Sequence, residues 1–388
     1  MNYDGSRCPI CHGKKSFSLT PIGVGMIGVI MIGIIGLLFI NGTFEINEKN
    51  LNESIKNTST ELPQTEKSEI TSDTSTQTTE SSHEIYLENE RKALKIEEAR
   101  QRAEIRKAED LKIKYAEKNK ELVEYALQII NEDRKKFDLQ PVTLSENQAA
   151  QIHAEDMLKT RTISHWMTNG EKPYMTYTRL GGTGSVSQNI ATSSCSGYGC
   201  STDPISQITS SEYNMMYDDA SSNWGHRDNI LRPYHTHVSI GISFNDNFFV
   251  MVQNFEDNYL ISENPISATG NHVSINSDLK SGSITNIGIF YDSLPTPELY
   301  LQHRNDGYYE LGDNVAVVVQ PPPPNSYYDQ PSGYKLIEAD RWNDGNSVVI
   351  DFDLSSVLTI PGVYTVGVWV DEGGESFIVT NYSIFYKG

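Results

Sequence analysis

The sequence predicts a multi-domain protein: a transmembrane helix, a charged helical spacer, a layered α/β domain and a C-terminal immunoglobulin-like β-sandwich. Three observations predict this order. Residues 22–40 are all apolar or glycine, residues 86–121 are rich in Lys, Arg, Glu and Ala, and short β-type runs fill the chain after residue 263. The 388 residues are enough for two or three domains of about 100–200 residues each.

The composition narrows the classes of function. The chain carries 51 Asp and Glu against 31 Lys and Arg, a net charge of −20 at pH 7. Such an acidic excess repels phosphate backbones, which argues against nucleic acid as the main partner. Four cysteines are too few for a disulfide scaffold in a chain of this length.

The apolar run at residues 22–40 predicts a single-pass membrane helix, because as a helix it would reach about 28 Å, close to the thickness of a bilayer core. The charged residues beside it are Arg7, Lys14 and Lys15 before the run and Glu45 and Glu48 after it. We therefore expect an uncleaved signal anchor in the cell membrane, with the N-terminus in the cytoplasm and the bulk of the chain extracellular. A cleaved signal peptide is the alternative, but residues 41–44 lack a small-residue cleavage site.

The predicted cytoplasmic tail, residues 1–21, holds a C-x-x-C pair, Cys8 and Cys11, followed by His12. A tetrahedral Zn²⁺ site needs about four ligands, and this segment alone does not supply them. A second copy of the chain would complete the site and form a homodimer. The alternative is a reduced pair without a metal.

The segments after the membrane run differ in composition. Residues 41–85 are rich in Ser, Thr, Glu and Asn, which predicts a disordered stalk because such a segment cannot bury enough apolar surface to fold. Residues 86–121 contain no Gly or Pro and predict a helix. Their seven-residue apolar spacing supports only a weak coiled coil, so a solvated helical spacer is favoured.

Residues 122–262 combine helical and strand patterns, which is typical of a layered α/β domain. Ser145–Gln148 match a capping box, and Asp203 with Pro204 predicts the start of another helix. Residues 237–244 alternate apolar and polar side chains, Asn245–Asn247 make a turn, and residues 248–255 return as a second strand, so the stretch predicts a hairpin.

Acidic side chains follow the apolar face of the helix that begins near residue 204. Glu212 and Asp219 share the helical spacing of Ile208 and Met215, whereas Asp218 is expected to face solvent. A carboxylate on a buried face is costly unless it is paired, hydrogen-bonded or metal-bound. We therefore expect Asp219 or Glu212 to point toward a polar partner.

Residues 263–388 predict a β-sandwich, because five apolar runs alternate with turns. The runs are ITNIGIFY, NVAVVVQ, SVVIDFDL, YTVGVWV and SFIVTNYSIFY, and Pro321–Pro324 predicts a loop among them. The stretch Pro361–Val366 resembles the tyrosine-corner strand of an immunoglobulin-like module. Structural or adhesive spacing is the expected role of this module.

Several motifs of the middle domain together resemble one family. In chain order they are HAEDM, SHW, QNIA, GHRDNIL and VMVQNF, spread over residues 120–260. Their order and spacing resemble the CAP superfamily of cysteine-rich secretory, antigen 5 and pathogenesis-related 1 proteins, and most of all its prokaryotic SCP-like branch. The resemblance implies an α-β-α sandwich with two histidines and two acidic residues in a central cleft.

Carried over residue by residue, the resemblance implies a cleft of His165, Gln188, Asp219 and His226. Gln188 stands where the family has Glu before Asn, and Asp219 is the best match to the remaining acid. His165, Asp219 and His226 make a plausible set of Zn²⁺ ligands with an open position for water. The uncharged Gln188 would weaken such a site, and the alternative is that the two histidines only form hydrogen bonds across the cleft.

The other polar candidates have simpler expected roles. His153 is expected in the core, and His235 and His237 at the surface. Cys195 and Cys200 are expected to form a local disulfide outside the membrane, in preference to a cysteine nucleophile.

The leading functional prediction is a membrane-anchored, extracellular CAP domain that binds a cell-surface polypeptide, glycan or lipid through the histidine-lined cleft. The first alternative is a cation-dependent hydrolase of the same family. The second is a structural envelope or adhesion protein.

Overall fold

The computed structural model describes residues 117–197 and 202–388. These residues belong to one compact unit. In a separate unit, Ser16–Glu109, only single residues between 92 and 107 are described, and each is helical. The predicted membrane run, the Cys8–Cys11 pair and the stalk lie outside the described residues. Within the described part of the chain, no helix is long and apolar enough to cross a membrane.

The middle domain alternates helices with the four strands of one sheet. Its helices are α1 (described over 117–136), α2 (Ala149–Thr160), α3 (Pro173–Arg179), α4 (Pro204–Tyr217) and α5 (Gly225–Ile230), with a 3₁₀ turn at Ala220–Ser222. Its strands are β1 (Thr143–Leu144), β2 (Ser185–Ser194), β3 (His237–Asn245) and β4 (Phe248–Asp257). The sheet order is β1-β3-β4-β2, and β3 and β4 form the predicted hairpin.

Side-chain alternation along β4 produces three layers. Phe249, Met251 and Phe255 pack with the apolar residues of α1, α4 and α5 on one face of the sheet. Val250 and Val252 face the other way and pack with α2. Because successive strand residues point to opposite faces, the central strand is buried on both sides. The middle domain is an α-β-α sandwich.

The helix starts agree with the sequence in one case and differ in the other. Asp203 caps α4 as predicted, since its side chain accepts a hydrogen bond from the Ser206 backbone N–H at 2.9 Å. The capping-box prediction for α2 is wrong. The helix begins at Ala149 with Gln148 as its N-cap residue, so Ser145 lies too far ahead of it to cap it. The Asn147 side chain instead accepts a hydrogen bond from the backbone N–H of Ala149 at 2.9 Å.

The C-terminal module is a sandwich of two sheets. The strands are β5 (Ile266–Thr269), β6 (His272–Asp278), β7 (Ser283–Asp292), β8 (Asp313–Val319), β9 (Lys335–Glu338), β10 (Arg341–Asp344), β11 (Ser347–Asp353), β12 (Gly362–Glu372) and β13 (Glu375–Tyr386). Their orders are β10-β11-β6-β5 and β13-β12-β7-β8-β9, and a helix, α6 (Pro297–His303), lies between β7 and β8. Apolar residues from both sheets share one core. Tyr364 Oη donates to the Ile360 carbonyl at 3.0 Å, the contact expected of a tyrosine corner.

The two modules are packed against each other. Tyr174 and Tyr177 of α3 share a small apolar core with Tyr309 and Val363 of the sandwich. Beside it, the buried Lys172 Nζ lies 2.6 Å from a carboxylate oxygen of Asp292. The sandwich is therefore held in a fixed position on the middle domain.

Candidate functional site

The site is built on the pairing of β2 with β4. In this antiparallel register Gln188 lies opposite Asn254 and Asn189 lies opposite Gln253. All four side chains are at least nine-tenths buried. Since successive residues face opposite layers, one amide pair faces α2 and the other faces α4 and α5. Buried amides are costly unless they are hydrogen-bonded, so each pair holds neighbouring side chains in position.

On the α2 face, the Gln188 amide joins two histidines. His165 Nδ1 donates to Gln188 Oε1 at 2.9 Å, and Gln188 Nε2 donates to His153 Nδ1 at 3.0 Å. Gln188 Nε2 also donates to Asn254 Oδ1 at 2.9 Å, which fixes the orientation of the amide. His165 therefore carries its proton on Nδ1, and its Nε2 has a free lone pair.

Both histidines on this face are neutral at pH 7. Burial lowers the pKa of His165 to about 4, and the hydrogen bond that His165 donates to Gln188 opposes this only in part. Burial likewise lowers the pKa of His153 to about 4. An uncharged Gln188 suits this environment, because a buried carboxylate there would lack a cationic partner.

On the opposite face, Asp219 holds His226 at the start of α5. Asp219 Oδ1 accepts from His226 Nδ1 at 2.7 Å and from the Ser222 hydroxyl. Asp219 Oδ2 accepts from the backbone N–H groups of His226 at 2.9 Å and Arg227 at 3.2 Å. Burial opposes ionisation of Asp219, but the hydrogen bonds from His226 and Ser222 outweigh it and lower its pKa. The carboxylate thus orients the imidazole by its Nδ1 and leaves Nε2 for other contacts.

His165 and His226 line one cavity of about 430 Å³. Gln188, Ser164 and Ser222 line it with them, whereas Asp219 lies behind His226. The other wall comes from the C-terminal module, at residues 304–308 after α6. Across 117–197 and 202–388, no hydrogen-bond partner is found for Nε2 of either histidine. The cavity is therefore a composite of both modules.

The histidines, the polar strands and the three layers all belong to a middle domain that matches one known protein family. Comparison with family models matches residues 127–255 to CAP, the cysteine-rich secretory protein family. Residues 127–255 form a CAP domain.

Solved structures with similarity to this chain also contain such domains. One is an extracellular protein containing a SCP domain from Bacillus anthracis str. Ames, with 17% identity over 35% of this chain and 40% of that chain, at a TM-score of 0.28. Another is the CAP domain of Enterococcal PrgA, with 17% identity over 36% of this chain and 62% of that chain, at a TM-score of 0.26. This chain thus spans less than two thirds of either. No curated protein matches.

The predicted metal set of the CAP domain does not form. In the described residues there is no group of three His, Cys, Asp or Glu side chains that could hold a metal ion. The physical reason is that both carboxylate oxygens of Asp219 are already bound, to His226 Nδ1, Ser222 and two backbone N–H groups. His165 and His226 would be the only imidazole ligands, and Gln188 already bonds to both His165 and His153. The residues present do not fit the Zn²⁺ site that the resemblance implied.

The structure gives different outcomes for the remaining predicted residues. Asp218 is exposed, as expected, and Glu212 is buried in the core, where its Oε2 accepts from Gln253 Nε2 at 2.6 Å. Burial raises the pKa of Glu212 to about 8. Cys200 lies outside the described residues, so its disulfide with Cys195 stays a prediction.

The surface position predicted for His235 is wrong. Its side chain is buried, with Nδ1 2.6 Å from Asp257 Oδ1 and Nε2 3.1 Å from Asn229 Oδ1. The strand pattern that begins at His237 gave no sign of this, because the contacts come from β4 and α5. His237 itself is half-buried.

Two parts of the site were not predicted from the sequence. His153 is a core residue as expected, but it also belongs to the Gln188 network, and only the strand register reveals that contact. The wall at residues 304–308 comes from a module that was assigned a spacing role. No local motif marks it, since its position depends on how the two modules pack.

Proposed function

We propose that this chain is a membrane-anchored, outward-facing CAP protein that binds a cell-surface ligand in the composite cavity. One observation carries the proposal: His165 and His226, each held by Nδ1, line a cavity that the second module closes at residues 304–308. Side chains fixed in this way bind a ligand without first being ordered, which lowers the entropic cost of binding.

The cavity has the size and lining of a small-ligand site. Its volume of about 430 Å³ falls within the usual range for ligand pockets, roughly 300–1,000 Å³. The neutral His165 offers an acceptor at Nε2, and Ser222 and Asn305 add further polar atoms along the walls. A hydrogen-bonding segment of a polypeptide, glycan or lipid headgroup suits such a lining.

The membrane location rests on the apolar run at 22–40 and the charges on either side of it. It is tested by protease treatment of intact cells that make the full chain. We expect the protease to remove the C-terminal module from intact cells and an epitope fused to residue 1 to survive. Survival of both parts would place the chain inside, and release of the protein by alkaline carbonate would exclude a membrane anchor.

Gly307 provides a direct test of the cavity. It lines the wall, its backbone needs no left-handed conformation, and a Cβ built on it meets no atom within 4 Å. Gly307→Trp should therefore fill the cavity and leave the fold intact. Gly345→Trp is the matched control, because Gly345 is also exposed and a Cβ built on it makes only an ordinary contact, 3.5 Å from Asn343 Oδ1. It lies in the β10–β11 turn and does not line the cavity.

The purified full chain is screened in detergent against an oligosaccharide array, a peptide array and phosphatidylglycerol vesicles. We expect the wild-type protein and Gly345→Trp to bind the same probes and Gly307→Trp to lose about ten-fold or more in affinity. Absence of binding to all three sets, or equal binding by Gly307→Trp, would overturn the proposal.

Hydrolysis is the second candidate, and the pairing of Asp219 with His226 favours it. A carboxylate on Nδ1 leaves Nε2 of the imidazole as a general base for water, without a metal. Ser222 is not suited as the nucleophile, since its hydroxyl contacts Nδ1 and not Nε2. Each probe that binds is incubated with the wild-type protein and with His226→Gln, and cleavage is followed by mass spectrometry. Cleavage by the wild type alone would favour hydrolysis, and no cleavage would leave binding as the function.

A further inference from the structure

The wall that the C-terminal module adds to the cavity carries an unpaired cation. Arg304 is exposed at the cavity, and within residues 117–197 and 202–388 its guanidinium forms no ion pair. Asp306, which also lines the cavity, forms no ion pair with Arg304 within the described residues, and its Oδ2 bonds instead to His303 Nδ1 at 2.8 Å. A free guanidinium in a protein of net charge −20 is a specific local attraction for an anion.

The opposite wall offers the complementary kind of group. His165 is neutral and its Nδ1–H donates to Gln188, so its Nε2 accepts a hydrogen bond from a ligand. His165 is only 5% exposed, which makes this acceptor costly to leave unsatisfied once a ligand displaces the water. A ligand that fits both walls carries an anionic group for Arg304 and a hydroxyl or N–H donor for His165.

Tyr308 adds an aromatic ring to the same wall as Arg304. The residue is 38% exposed and lines the same cavity. An acidic sugar matches all three features, because its carboxylate, its hydroxyl groups and its ring face occur within one residue of a glycan. A peptide C-terminus also supplies a carboxylate, but it offers fewer donors near it.

We propose that Arg304 and His165 make the composite cavity selective for a carboxylated sugar residue of a glycan. The guanidinium binds the carboxylate through paired N–H donors, and His165 Nε2 accepts from a neighbouring hydroxyl. This proposal rests on the proposed binding function of the cavity and adds to it the chemical class of the ligand. It assigns the choice of ligand to the C-terminal module as well as to the CAP domain.

The experiment compares two matched probes, tetragalacturonate and its fully methyl-esterified form, which differ in the carboxylate charges. Binding of each to the full chain in detergent is measured by calorimetry, for the wild type and for Arg304→Gln. We expect tetragalacturonate to bind about ten-fold or more tightly than the ester. Arg304→Gln should lower the affinity for tetragalacturonate to that for the ester and leave the affinity for the ester unchanged. Raising the salt concentration should weaken the binding of tetragalacturonate only.

Lys387→Gln is the matched control, because it removes the same charge from an exposed position of the same module that does not line the cavity. Thermal unfolding of both variants verifies that they fold. A peptide with a free C-terminus and the same peptide with a C-terminal amide form a second pair of probes.

The outcomes separate this proposal from the binding function itself. Equal affinity for acid and ester, in wild type and Arg304→Gln alike, would overturn the selectivity and leave the cavity as a binding site. Binding of the free peptide but of neither tetragalacturonate form would overturn the sugar and again leave the binding function. Retention of acid selectivity in Arg304→Gln, or its loss in Lys387→Gln, would overturn the role of Arg304.

Discussion

The CAP domain and the C-terminal sandwich use buried strands in opposite ways. In the CAP domain, the facing pairs of β2 and β4 include Gln188 with Asn254 and Asn189 with Gln253, all nearly inaccessible to solvent. In the sandwich, the central strands β7 and β12 fill their core positions with Ile and Val and one Tyr, Tyr364. Apolar strands lower the free energy of the fold by burial, whereas buried amides stabilise it only when every partner is in place.

The difference shows that the CAP domain has hydrogen-bonded polar side chains of fixed orientation where the sandwich has apolar packing. The Gln188 amide is stabilised in the core because it joins His165, His153 and Asn254. The division between a polar site and an apolar scaffold is not complete, however. The sandwich supplies residues 304–308 to the cavity and the partner of a buried lysine to the interface.

The largest expected effect concerns that lysine. Lys172 and Asp292 join the two modules, and their side chains are 8% and 13% exposed. Lys172→Met leaves Asp292 mostly buried with only the Tyr174 hydroxyl as a side-chain donor, at 2.7 Å. We expect the free energy of unfolding, measured with urea, to fall by about 3–5 kcal/mol.

Lys120→Met is the control, because Lys120 and Glu124 form an exposed pair on α1. Its effect should stay below about 0.5 kcal/mol. If the two lysine variants were equally stable, the modules would be independent and the comparison between them would lose its structural basis.

Acid should next destabilise the CAP domain, through two histidines whose separate effects are each no larger than that of Lys172→Met. The pKa values of His153 and His165 are about 4 in the fold against 6.5 for an ordinary histidine. Between pH 6.5 and pH 4 the unfolded chain binds protons that the folded chain does not, so stability falls as the pH falls. The loss approaches roughly 3 kcal/mol for each histidine.

This measurement is made by urea unfolding of Glu212→Gln. Glu212 has a pKa of about 8 in the fold against an ordinary 4.5, so its own contribution falls as the pH rises between these values. Removing it eliminates this opposing contribution to the pH dependence. Imidazole resonances that titrate near 6.5 for His165 and His153 would contradict the prediction.

The sequence predicts the apolar scaffold better than the polar site. The sandwich strands and the hairpin were predictable because apolar alternation is a local pattern, and the histidines of the cleft were predictable because they lie in motifs. Gln188 was found as a departure from the family pattern, but its bridging of two histidines depends on the register of β2 with β4. The burial of His235, the contacts of Asp219 and the wall at 304–308 depend on packing between distant segments, for which a single sequence carries no local signal.

The next prediction concerns Gln188, which stands where the family pattern has Glu. Gln188→Glu restores the acid of the family pattern but removes the N–H donors to His153 and Asn254. We expect the free energy of unfolding at pH 7 to fall by about 1–3 kcal/mol, because these acceptors lose their partner. The new carboxylate should raise the pKa of His165, measured by NMR, above its value of about 4.

Asn381→Asp provides a matched amide-to-acid change at a buried residue of the sandwich, whose backbone N–H donates to the Gly184 carbonyl at 3.3 Å and which has no hydrogen bond to a histidine among the described residues. It should leave the His165 pKa unchanged. A Gln188→Glu variant with wild-type stability and an unshifted His165 would show that the buried amide is not required, and the contrast between the two kinds of strand would fail.

The smallest effect belongs to the sandwich. Tyr364→Phe removes one hydroxyl, which donates to the Ile360 carbonyl at 3.0 Å, and keeps the ring in the core. Because Ile360 is exposed, water can replace the lost donor, so the free energy of unfolding should fall by only about 0.5–1.5 kcal/mol. Ligand affinity should not change, since Tyr364 does not line the cavity. A loss as large as that of Gln188→Glu, or a change in affinity, would mean that the sandwich also depends on single polar contacts and transmits them to the site.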